Sequence, residues 1–292
     1  MSARVIKGGP VAARIRAQVA AGVAAGNGQG DPPRLQVLLA GDDPGSLWYA
    51  RAKAKLGTRL GVRVEVERFP ANVTTATLRA AIHDWNEDSA VHGILVELPL
   101  PVGVEKGLVL AAIEPRKDVD GVTPVNRGLL FSGAEDAALL PATPLACLEL
   151  LAEVPVRPEG RHAAVVGRGD TVGRPLAALL VTRHATVTIC HTRTPDLAAV
   201  VRGADLVFAA AGRPGVVCGE MIRPGATVID AGITEVGEGI VGDVDWDSVT
   251  AVAGAASPVP GGVGTVTTAL IMRNVLRARA LQQAQQTREG SS

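Results

Sequence analysis

Aromatic residues are scarce in this chain: phenylalanine, tryptophan and tyrosine together make up 2% of its 292 residues. The apolar share of 47% therefore consists largely of alanine, valine and leucine. Small aliphatic side chains suit parallel strands covered by helices better than an aromatic-rich β-sandwich. We therefore expect an α/β protein, and the length suggests about two domains.

Cysteine is equally rare. Cys147, Cys190 and Cys218 are scattered and form no Cys-x-x-Cys pair, so the sequence indicates neither a disulfide framework nor a zinc site. We expect buried, reduced thiols in a cytoplasmic protein. The N-terminus agrees with this expectation, because Arg4 and Lys7 precede mixed sequence and not the apolar core of a signal peptide.

The chain also lacks an excess of either charge and a long apolar run. Lysine plus arginine and aspartate plus glutamate each number 29, which gives a formal net charge of zero. A basic surface for nucleic acid and a polybasic membrane anchor are therefore not expected. No segment has the roughly 18 uninterrupted apolar residues of a membrane-spanning helix, so no membrane association is expected.

Alternating helix and strand patterns run through both halves of the chain. In the first half we predict helices over 10–25, 46–60, 75–87 and 104–113, and strands over 35–40, 62–69 and 91–98. After a loop-like stretch at 115–144, the second half shows a helix over 144–152, strands over 162–166, 186–190, 206–210 and 227–230, and a last helix ending near 283 before a frayed tail. This alternation indicates βαβ units and parallel sheets.

The strand at 162–166 leads into a glycine-rich loop that precedes a helix. The loop is Gly167-Arg168-Gly169-Asp170-Thr171-Val172-Gly173, a spacing one residue longer than the usual dinucleotide fingerprint. Glycines permit close approach of the backbone to a pyrophosphate, and the helix N-terminus supplies free N–H groups. An ordinary strand-to-helix turn is the alternative, but the complete βαβ unit around the loop favours a dinucleotide site.

The end of the following strand indicates which dinucleotide binds. An NAD site usually places Asp or Glu there to hold the ribose hydroxyls, whereas this chain has His191, Thr192 and Arg193. Arg193, Arg168 and the Thr192 hydroxyl are suited to a 2′-phosphate, which favours NADP. The alternative is that Arg193 is a solvated charge at a strand end.

Two polar features stand out in the first half. Tyr49 and Lys53 are four residues apart on one helix face, where they either shuttle protons or form a solvated surface; Lys55 belongs to another face and is expected to be exposed. Asp118 and Asp120 share a loop. Their carboxylates suit a metal ion, the edge of a heterocycle, or simple capping of the loop.

Together these segments resemble the bifunctional methylenetetrahydrofolate dehydrogenase/cyclohydrolase (FolD) family, in the family's order and over nearly the whole chain. The matching segments are Ser46…Tyr49…Lys53, 93–101 (Gly-Ile-Leu-Val-Glu-Leu-Pro-Leu-Pro), 117–121 (Lys-Asp-Val-Asp-Gly), 141–144 (Pro-Ala-Thr-Pro), 167–175, 190–194 (Cys-His-Thr-Arg-Thr), 242–245 (Gly-Asp-Val-Asp) and 258–264 (Pro-Val-Pro-Gly-Gly-Val-Gly).

The resemblance implies a two-step reaction. NADP⁺ takes a hydride from 5,10-methylenetetrahydrofolate, and water then converts the methenyl product to 10-formyltetrahydrofolate, in one-carbon metabolism that feeds purine biosynthesis. The hydride step needs positioning more than a base, whereas hydrolysis needs proton transfers. The family also implies a homodimer. The alternatives are a dehydrogenase-only paralogue, another NADP-dependent dehydrogenase with a related substrate, and a silent folate- or NADP-binding protein.

The same resemblance assigns roles to residues. Lys53, Tyr49 and Glu97 are the implied catalytic residues, and Asp120 anchors the pterin. The implied substrate-binding set is Tyr49, Asp120, Pro260, Gly261 and Gly262. The implied cofactor-binding set is Gly167, Arg168, Gly169, Val172, Gly173, His191, Thr192, Arg193, Ala211, Gly212, Ile233 and Gly264. No metal ligand is implied.

The implied fold is α/β with two domains. Residues 1–143 form a folate-binding catalytic domain, to which the C-terminal helix at 268–292 returns, and residues 144–267 form a Rossmann-like NADP-binding domain.

Several positions depart from the family's pattern. Glu97 stands where the family has glutamine; we expect its carboxylate to pair with Lys53, favour the charged form and weaken Lys53 as a base, unless Glu97 itself moves protons. Gly169 replaces a common serine. The other departures are Ala142, Leu145, Ala146, Ser257, Thr265 and Val266. The hydride site is better kept than the proton-transfer site, so dehydrogenase activity is expected and hydrolysis depends on Glu97.

Overall fold

The computed structural model describes residues 2–26, 31–237 and 239–289. Its helices are α1 (Gly8–Gly26), α2 (Pro44–Leu60), α3 (Thr75–Glu87), α4 (Lys106–Ala111), α5 (Pro124–Phe131), α6 (Ala142–Leu151), α7 (Gly173–Val181), α8 (Leu197–Arg202), α9 (Trp246–Thr250) and α10 (Val263–Glu289). Its strands are β1 (Arg4–Val5), β2 (Arg34–Ala40), β3 (Arg63–Phe69), β4 (Gly93–Val96), β5 (His162–Val166), β6 (Thr186–Cys190), β7 (Leu206–Ala209), β8 (Thr227–Asp230), β9 (Thr234–Val236), β10 (Gly239–Val241) and β11 (Ala255–Ala256).

The chain divides into two compact units, which we name by their sheets. The six-stranded unit comprises residues up to 14 and 141–270, and its parallel sheet has the order β1-β11-β8-β7-β5-β6. Buried alanines and valines from the strands and from α8 form much of its core. The direction of chain progression reverses at β5, since β6 lies on one side and β7 on the other, and the carboxyl end of such a reversal is where α/β sheets bind ligands.

The three-stranded unit comprises residues 15–140 and the chain from 271 onward. Its parallel sheet has the order β3-β2-β4, so the progression reverses at β2. Leu38, Ile82 and Ile94 are completely buried in its core. The C-terminal helix returns to this unit, as expected: Asn274 of α10 donates its amide to the carbonyls of Val119 (2.8 Å) and Leu140 (3.0 Å).

The N-terminal segment is a correction to the expected domain division. The sequence placed residues 1–143 in the catalytic domain, but residues 2–14 fold with the six-stranded unit. Strand β1 pairs in parallel with β11, Arg4 beside Ala255. A two-residue strand has too short an alternation of apolar residues to be detected from the sequence.

Local chemistry explains other differences from the expected elements. Helix α2 begins at Pro44, two residues before the predicted start at 46, because Asp43 caps it: the Asp43 carboxylate accepts a bond from the Ser46 backbone N–H. Helix α5 lies inside the stretch predicted as loop. The sequence did not indicate it, because an eight-residue helix that starts at a proline shows little periodicity. Helix α10 reaches residue 289, beyond the predicted end near 283, and residues 290–292 of the predicted frayed tail lie outside the described residues.

The cysteines are free thiols, of which Cys147 and Cys190 are buried as expected. Cys218 is only partly buried, which corrects that part of the prediction. Among the helices that the structure describes, none combines the length and apolar character that crossing a membrane requires.

Candidate active site

A buried ion pair lies in the three-stranded unit. Lys53 on α2 and Glu97, directly after β4, are each 8% exposed. The Lys53 ammonium donates to both Glu97 oxygens, at 2.7 and 3.0 Å. The pairing expected from the sequence is thus present. Because both groups are removed from water, each charge depends on the other for compensation.

Tyr49 shares the face of α2 that carries Lys53, as the four-residue spacing predicts. The Lys53 Nζ lies 5.5 Å from the centre of the Tyr49 ring, within range of a cation–π interaction. The Trp48 ring meets Tyr49 edge-on, with centroids 5.0 Å apart. Lys55 is exposed, as expected. The alternative that this face of α2 is a solvated surface is therefore wrong for Lys53, which is buried.

The two aspartates of the 117–121 loop have different environments. The Asp118 carboxylate accepts bonds from the backbone N–H groups of Val122 and Thr123 and from the Asn126 amide, at 2.8–3.0 Å. Asp118 is therefore a loop cap, one of the alternatives left open by the sequence. No donor to the Asp120 carboxylate is found among the described residues, which leaves that carboxylate available to a ligand.

Asp120 is electrostatically linked to the ion pair. The pKa of its carboxyl is raised to about 7: burial is the largest cause, Asp118 and Glu97 also raise the pKa, and Lys53 lowers it. A carboxyl that titrates near neutrality can either accept or donate a hydrogen bond. Such a group can recognise the edge of a heterocycle in which amide and amino groups alternate.

These side chains gather at one edge of the sheet. Glu97 follows the carboxyl end of β4, and a parallel bridge between Ile94 and Asp118 directs the following Asp120 to the same end. The Ser46 hydroxyl, at the start of α2, donates to the carbonyl of Leu98 (3.2 Å). The carboxyl ends of β2 and β4 flank the point where strand order reverses, which is the usual ligand position in α/β sheets.

In the six-stranded unit, the glycine loop connects β5 to α7 at the equivalent edge. Gly167 has a φ of +129°, and a side chain there would overlap the carbonyl of Ala210. A side chain at Gly173 would overlap the carbonyl of Gly167. Gly169 faces open space. The first and last glycines are thus required for the turn, whereas the middle glycine is not.

The turn after β6 lies beside this loop, because the Gly167 N–H donates to the Cys190 carbonyl (2.9 Å). His191 shapes the turn: its N–H donates to the Thr194 hydroxyl, and its Nδ1 accepts the Arg193 N–H. The side chains of Thr192, Arg193 and Arg168 are exposed. Two cationic side chains and a hydroxyl therefore stand at adjacent strand ends.

The third segment that the resemblance assigns to the cofactor follows β7 and is held by Asp243. This fully buried carboxylate accepts the backbone N–H groups of Ala211 (2.5 Å), Gly212 (3.0 Å) and Arg213 (2.7 Å). The amides of Ala211 and Gly212 are therefore committed within the protein. A cofactor at this segment would therefore pack against the exposed backbone of Ala211 and Gly212 and would not bond their N–H groups.

The 258–264 segment also belongs to the six-stranded unit. Pro260 and Gly261 are exposed and Gly262 is buried, and the Gly261 carbonyl accepts the Gly8 N–H (2.8 Å). Ile233, 43% exposed, has its Cδ1 beside Gly264. The structure thus brings Ile233 and Gly264 together.

Comparisons with known proteins identify the family of this chain. The family model of the tetrahydrofolate dehydrogenase/cyclohydrolase catalytic domain matches residues 6–120, and that of its NAD(P)-binding domain matches residues 141–283. The chain belongs to the tetrahydrofolate dehydrogenase/cyclohydrolase family. It is 53% identical to the bifunctional protein FolD of Heliobacterium modesticaldum over 97% of this chain and 98% of that protein.

Two solved structures of this family are similar over nearly their full length. FolD from Campylobacter jejuni is 37% identical, with a TM-score of 0.92 over 96% of this chain and 99% of that one. The Trypanosoma brucei dehydrogenase-cyclohydrolase, complexed with NADP cofactor and inhibitor, is 39% identical, with a TM-score of 0.92 over 96% and 98%.

The departures from the family's pattern fall in different environments. Ala142, Ala146 and Val266 are completely buried, so they are packing positions. Ser257 is buried, and its hydroxyl accepts the N–H of Asp230 (2.8 Å), so this hydroxyl is bonded within the protein. Leu145 is partly buried and Thr265 is exposed. Glu97 is the departure that introduces a charge into the candidate site.

Sequence reasoning assigned no role to several residues that hold the site in place. Lys117 donates its ammonium to the carbonyls of Trp85, Asn86 and Asp88 and so ties the 117–121 loop to the end of α3. Asp230 accepts the backbone N–H groups of Gly232, Asp243 and Val244 in the other unit. The available signal in the sequence was the position of each charged residue: Lys117 begins the matched 117–121 segment, and Asp230 ends the predicted strand over 227–230.

Within the described ranges, no three His, Cys, Asp or Glu side chains are arranged to hold a metal ion.

Proposed function

We propose that this protein oxidises 5,10-methylenetetrahydrofolate with NADP⁺ and hydrolyses the 5,10-methenyl product to 10-formyltetrahydrofolate. The observation that carries the proposal is the polar cluster of Lys53, Glu97 and Asp120 at the ligand end of the three-stranded sheet, in a chain whose family catalyses these two reactions. In this proposal the three-stranded unit binds the folate and the six-stranded unit binds NADP.

The residues of the glycine loop fit NADP. The close approach required at Gly167 and Gly173 leaves a bare backbone before α7, and no side chain caps the first turn of that helix. Phosphate oxygens are suited to such a helix N-terminus. Arg193, Arg168 and Thr192 are placed to hold a 2′-phosphate. When bound, NADP⁺ supplies the hydride acceptor.

In the oxidation, the protein's task is to orient the folate. The lone pair of a neighbouring nitrogen stabilises the cation that develops on the bridging carbon, so no base is needed at that carbon. Asp120 holds the amide and amino edge of the pterin. Because the pKa of its carboxyl is about 7, the carboxyl can either donate or accept a hydrogen bond there at neutral pH. Tyr49 and the 260–262 segment are proposed as further substrate contacts.

Hydrolysis requires proton movement, for which Lys53 is the proposed group. Water that attacks the methenyl carbon must lose a proton, and the ring nitrogen that departs must gain one. Lys53 Nζ lies 5.5 Å from the centre of the Tyr49 ring, so Lys53 is placed to take up and return a proton beside Tyr49. Its bond to the Glu97 carboxylate opposes the loss of that proton.

Replacement of Lys53 tests this division of labour. Lys53→Met should reduce methenyltetrahydrofolate hydrolysis by at least about 100-fold and spare part of the NADPH formation. Because Glu97 would be left without its buried partner, the double variant Lys53→Met/Glu97→Gln serves as the neutral control for folding. Lys55→Met, on the exposed face of the same helix, should change neither rate. Equal loss of both activities would show that Lys53 mainly positions folate.

A dehydrogenase with impaired hydrolysis is the second candidate, and Glu97 is the specific observation that favours it. Its carboxylate engages Lys53 through both oxygens. Purified protein that forms NADPH but hydrolyses methenyltetrahydrofolate no faster than buffer would select this alternative.

We further propose that the protein acts as a homodimer in the cytoplasm, where its product supplies one-carbon units for purine biosynthesis. Size-exclusion chromatography with light scattering measures the first of these directly; a monomer at micromolar concentration would refute it.

A further inference from the structure

Trp48 is an exposed aromatic side chain beside the candidate site. It is 65% exposed, whereas Trp85 of the same unit is 8% exposed. A single exposed apolar side chain carries no implication by itself. Here, however, the indole packs edge-on against Tyr49, which in turn lies over the Lys53 ammonium. Trp48 is therefore the solvent-facing end of a row of side chains that leads to the buried ion pair.

The position of Trp48 also matches the ligand end of the sheet. Trp48 is two residues after Ser46, whose hydroxyl reaches the Leu98 carbonyl at the end of β4. Trp48 thus stands in the first turns of α2, at the edge where Glu97 and Asp120 lie. An indole in this position offers a flat apolar surface to any ligand that reaches Lys53 from solvent.

The chemistry of a reduced folate supplies a matching group. Its pterin is polar and suits Asp120, its bridging carbon is the reacting atom at Lys53, and its p-aminobenzoyl ring projects away from both. We infer that Trp48 is a substrate-binding residue that packs against the p-aminobenzoyl ring. The inference rests on the proposed function. Trp48 and Tyr49, with their rings at 86°, form a corner in which an aromatic ring gains both stacked and edge contacts.

Steady-state kinetics with saturating NADP⁺ test the contact. Trp48→Ala should raise KM for methylenetetrahydrofolate by about three- to tenfold, the range expected for one aromatic contact. It should leave kcat and the KM for NADP⁺ within about twofold, because the residue binds the substrate away from the reacting carbon. Trp48→Phe should restore most of the loss, since a phenyl ring can make the same contact.

Phe131 provides the matched control. Its exposed fraction, 64%, is nearly that of Trp48, 65%, and it lies at the end of α5 in the same unit. Phe131→Ala should leave both KM values unchanged. A parallel shift of KM in Trp48→Ala and Phe131→Ala would mean that the effect follows from lost surface packing, and it would overturn the inference.

Calorimetry with tetrahydrofolate separates failure of the inference from failure of the proposed function. Wild-type protein that turns over substrate, with unaltered KM and tetrahydrofolate affinity in Trp48→Ala, overturns the inference alone. Wild-type protein that neither oxidises methylenetetrahydrofolate nor binds tetrahydrofolate overturns both. Weaker tetrahydrofolate binding in Trp48→Ala, with recovery in Trp48→Phe, supports the contact independently of catalysis.

Discussion

At the scale of single residues, the Lys53–Glu97 pair places two buried, mutually bonded charges in the candidate site. Glutamine at position 97 would keep the size of the side chain and one acceptor for the Lys53 ammonium. The carboxylate found here adds a full charge and a second acceptor, both used by Lys53. In the proposed mechanism the consequence falls on the water-adding step, because that step alone needs Lys53 to exchange a proton.

Glu97→Gln is therefore expected to raise the rate of methenyltetrahydrofolate hydrolysis by about tenfold, a part of what general acid–base catalysis contributes, with little change in NADPH formation. Both rates are measured on the same preparation of wild type and variant. If the wild type already hydrolyses well and the variant gains nothing, the carboxylate does not impede Lys53. A loss of hydrolysis in the variant would instead make Glu97 a proton carrier.

Asp120 predicts a pH dependence of stability. Its pKa in the folded protein, about 7, lies above the ordinary 3.8. Between these values the folded state binds more protons than the unfolded state at this site, so its contribution to the free energy of unfolding falls as the pH rises. Asp120→Asn removes this fall and should stabilise the protein by about 2 kcal/mol more at pH 8 than at pH 5.

Urea unfolding of wild type and Asp120→Asn at both pH values provides the comparison. For each protein the free energy of unfolding at pH 5 is subtracted from that at pH 8. The contributions of other titrating groups then cancel when wild type and variant are compared. An equal effect of the substitution at pH 5 and pH 8 would show that the Asp120 carboxyl is not perturbed.

At the scale of elements, the glycine loop predicts opposite results at two neighbouring glycines. Gly173→Ala places a methyl group on the Gly167 carbonyl and should raise KM for NADP⁺ by about tenfold or more, because the turn must shift. Gly169→Ser points into open space and should leave KM unchanged or lower it, since serine adds a phosphate donor. Steady-state kinetics with varied NADP⁺ decide; similar defects in both variants would contradict the geometry.

The same elements show how far sequence patterns reach. Strands β5, β6 and β8 and helix α3 have the predicted bounds, because each is a clear periodic segment between turn residues. Helix α5 was missed because it is short and begins at a proline, and strand β1 was missed because its position is fixed by a distant partner: Arg4 pairs with Ala255. Residue patterns carry no record of such long-range contacts.

In the candidate site too, features set by local spacing were predictable, and features set by contacts between separate segments were not. The spacing of Tyr49 and Lys53 predicted their shared helix face, and the glycine spacing predicted the loop before α7. The difference between Asp118 and Asp120 was not predictable from two equivalent letters, because it depends on which carboxylate the Val122 and Thr123 amides reach. Likewise, the Asp243 carboxylate that holds residues 211–213 comes from 30 or more residues away.

At the scale of the whole molecule, two α/β units carry two different candidate ligand sites at the carboxyl ends of parallel strands. The three-stranded unit presents acid–base groups, and the six-stranded unit presents a bare helix N-terminus with arginines beside it. The family's catalytic domain and NAD(P)-binding domain match these two parts of the chain, and on that basis we propose folate and dinucleotide as the two ligands. The central claim is thus that one chain couples folate oxidation to reduction of a phosphorylated dinucleotide.

The most direct test is the rate of NADPH formation by the purified protein with methylenetetrahydrofolate, beside the same assay with NAD⁺. The account predicts substrate-dependent NADPH formation, with kcat/KM for NADP⁺ at least about tenfold above that for NAD⁺ because Arg193 and Arg168 meet the 2′-phosphate. No reduction of either dinucleotide with this substrate, or a preference for NAD⁺, would contradict it.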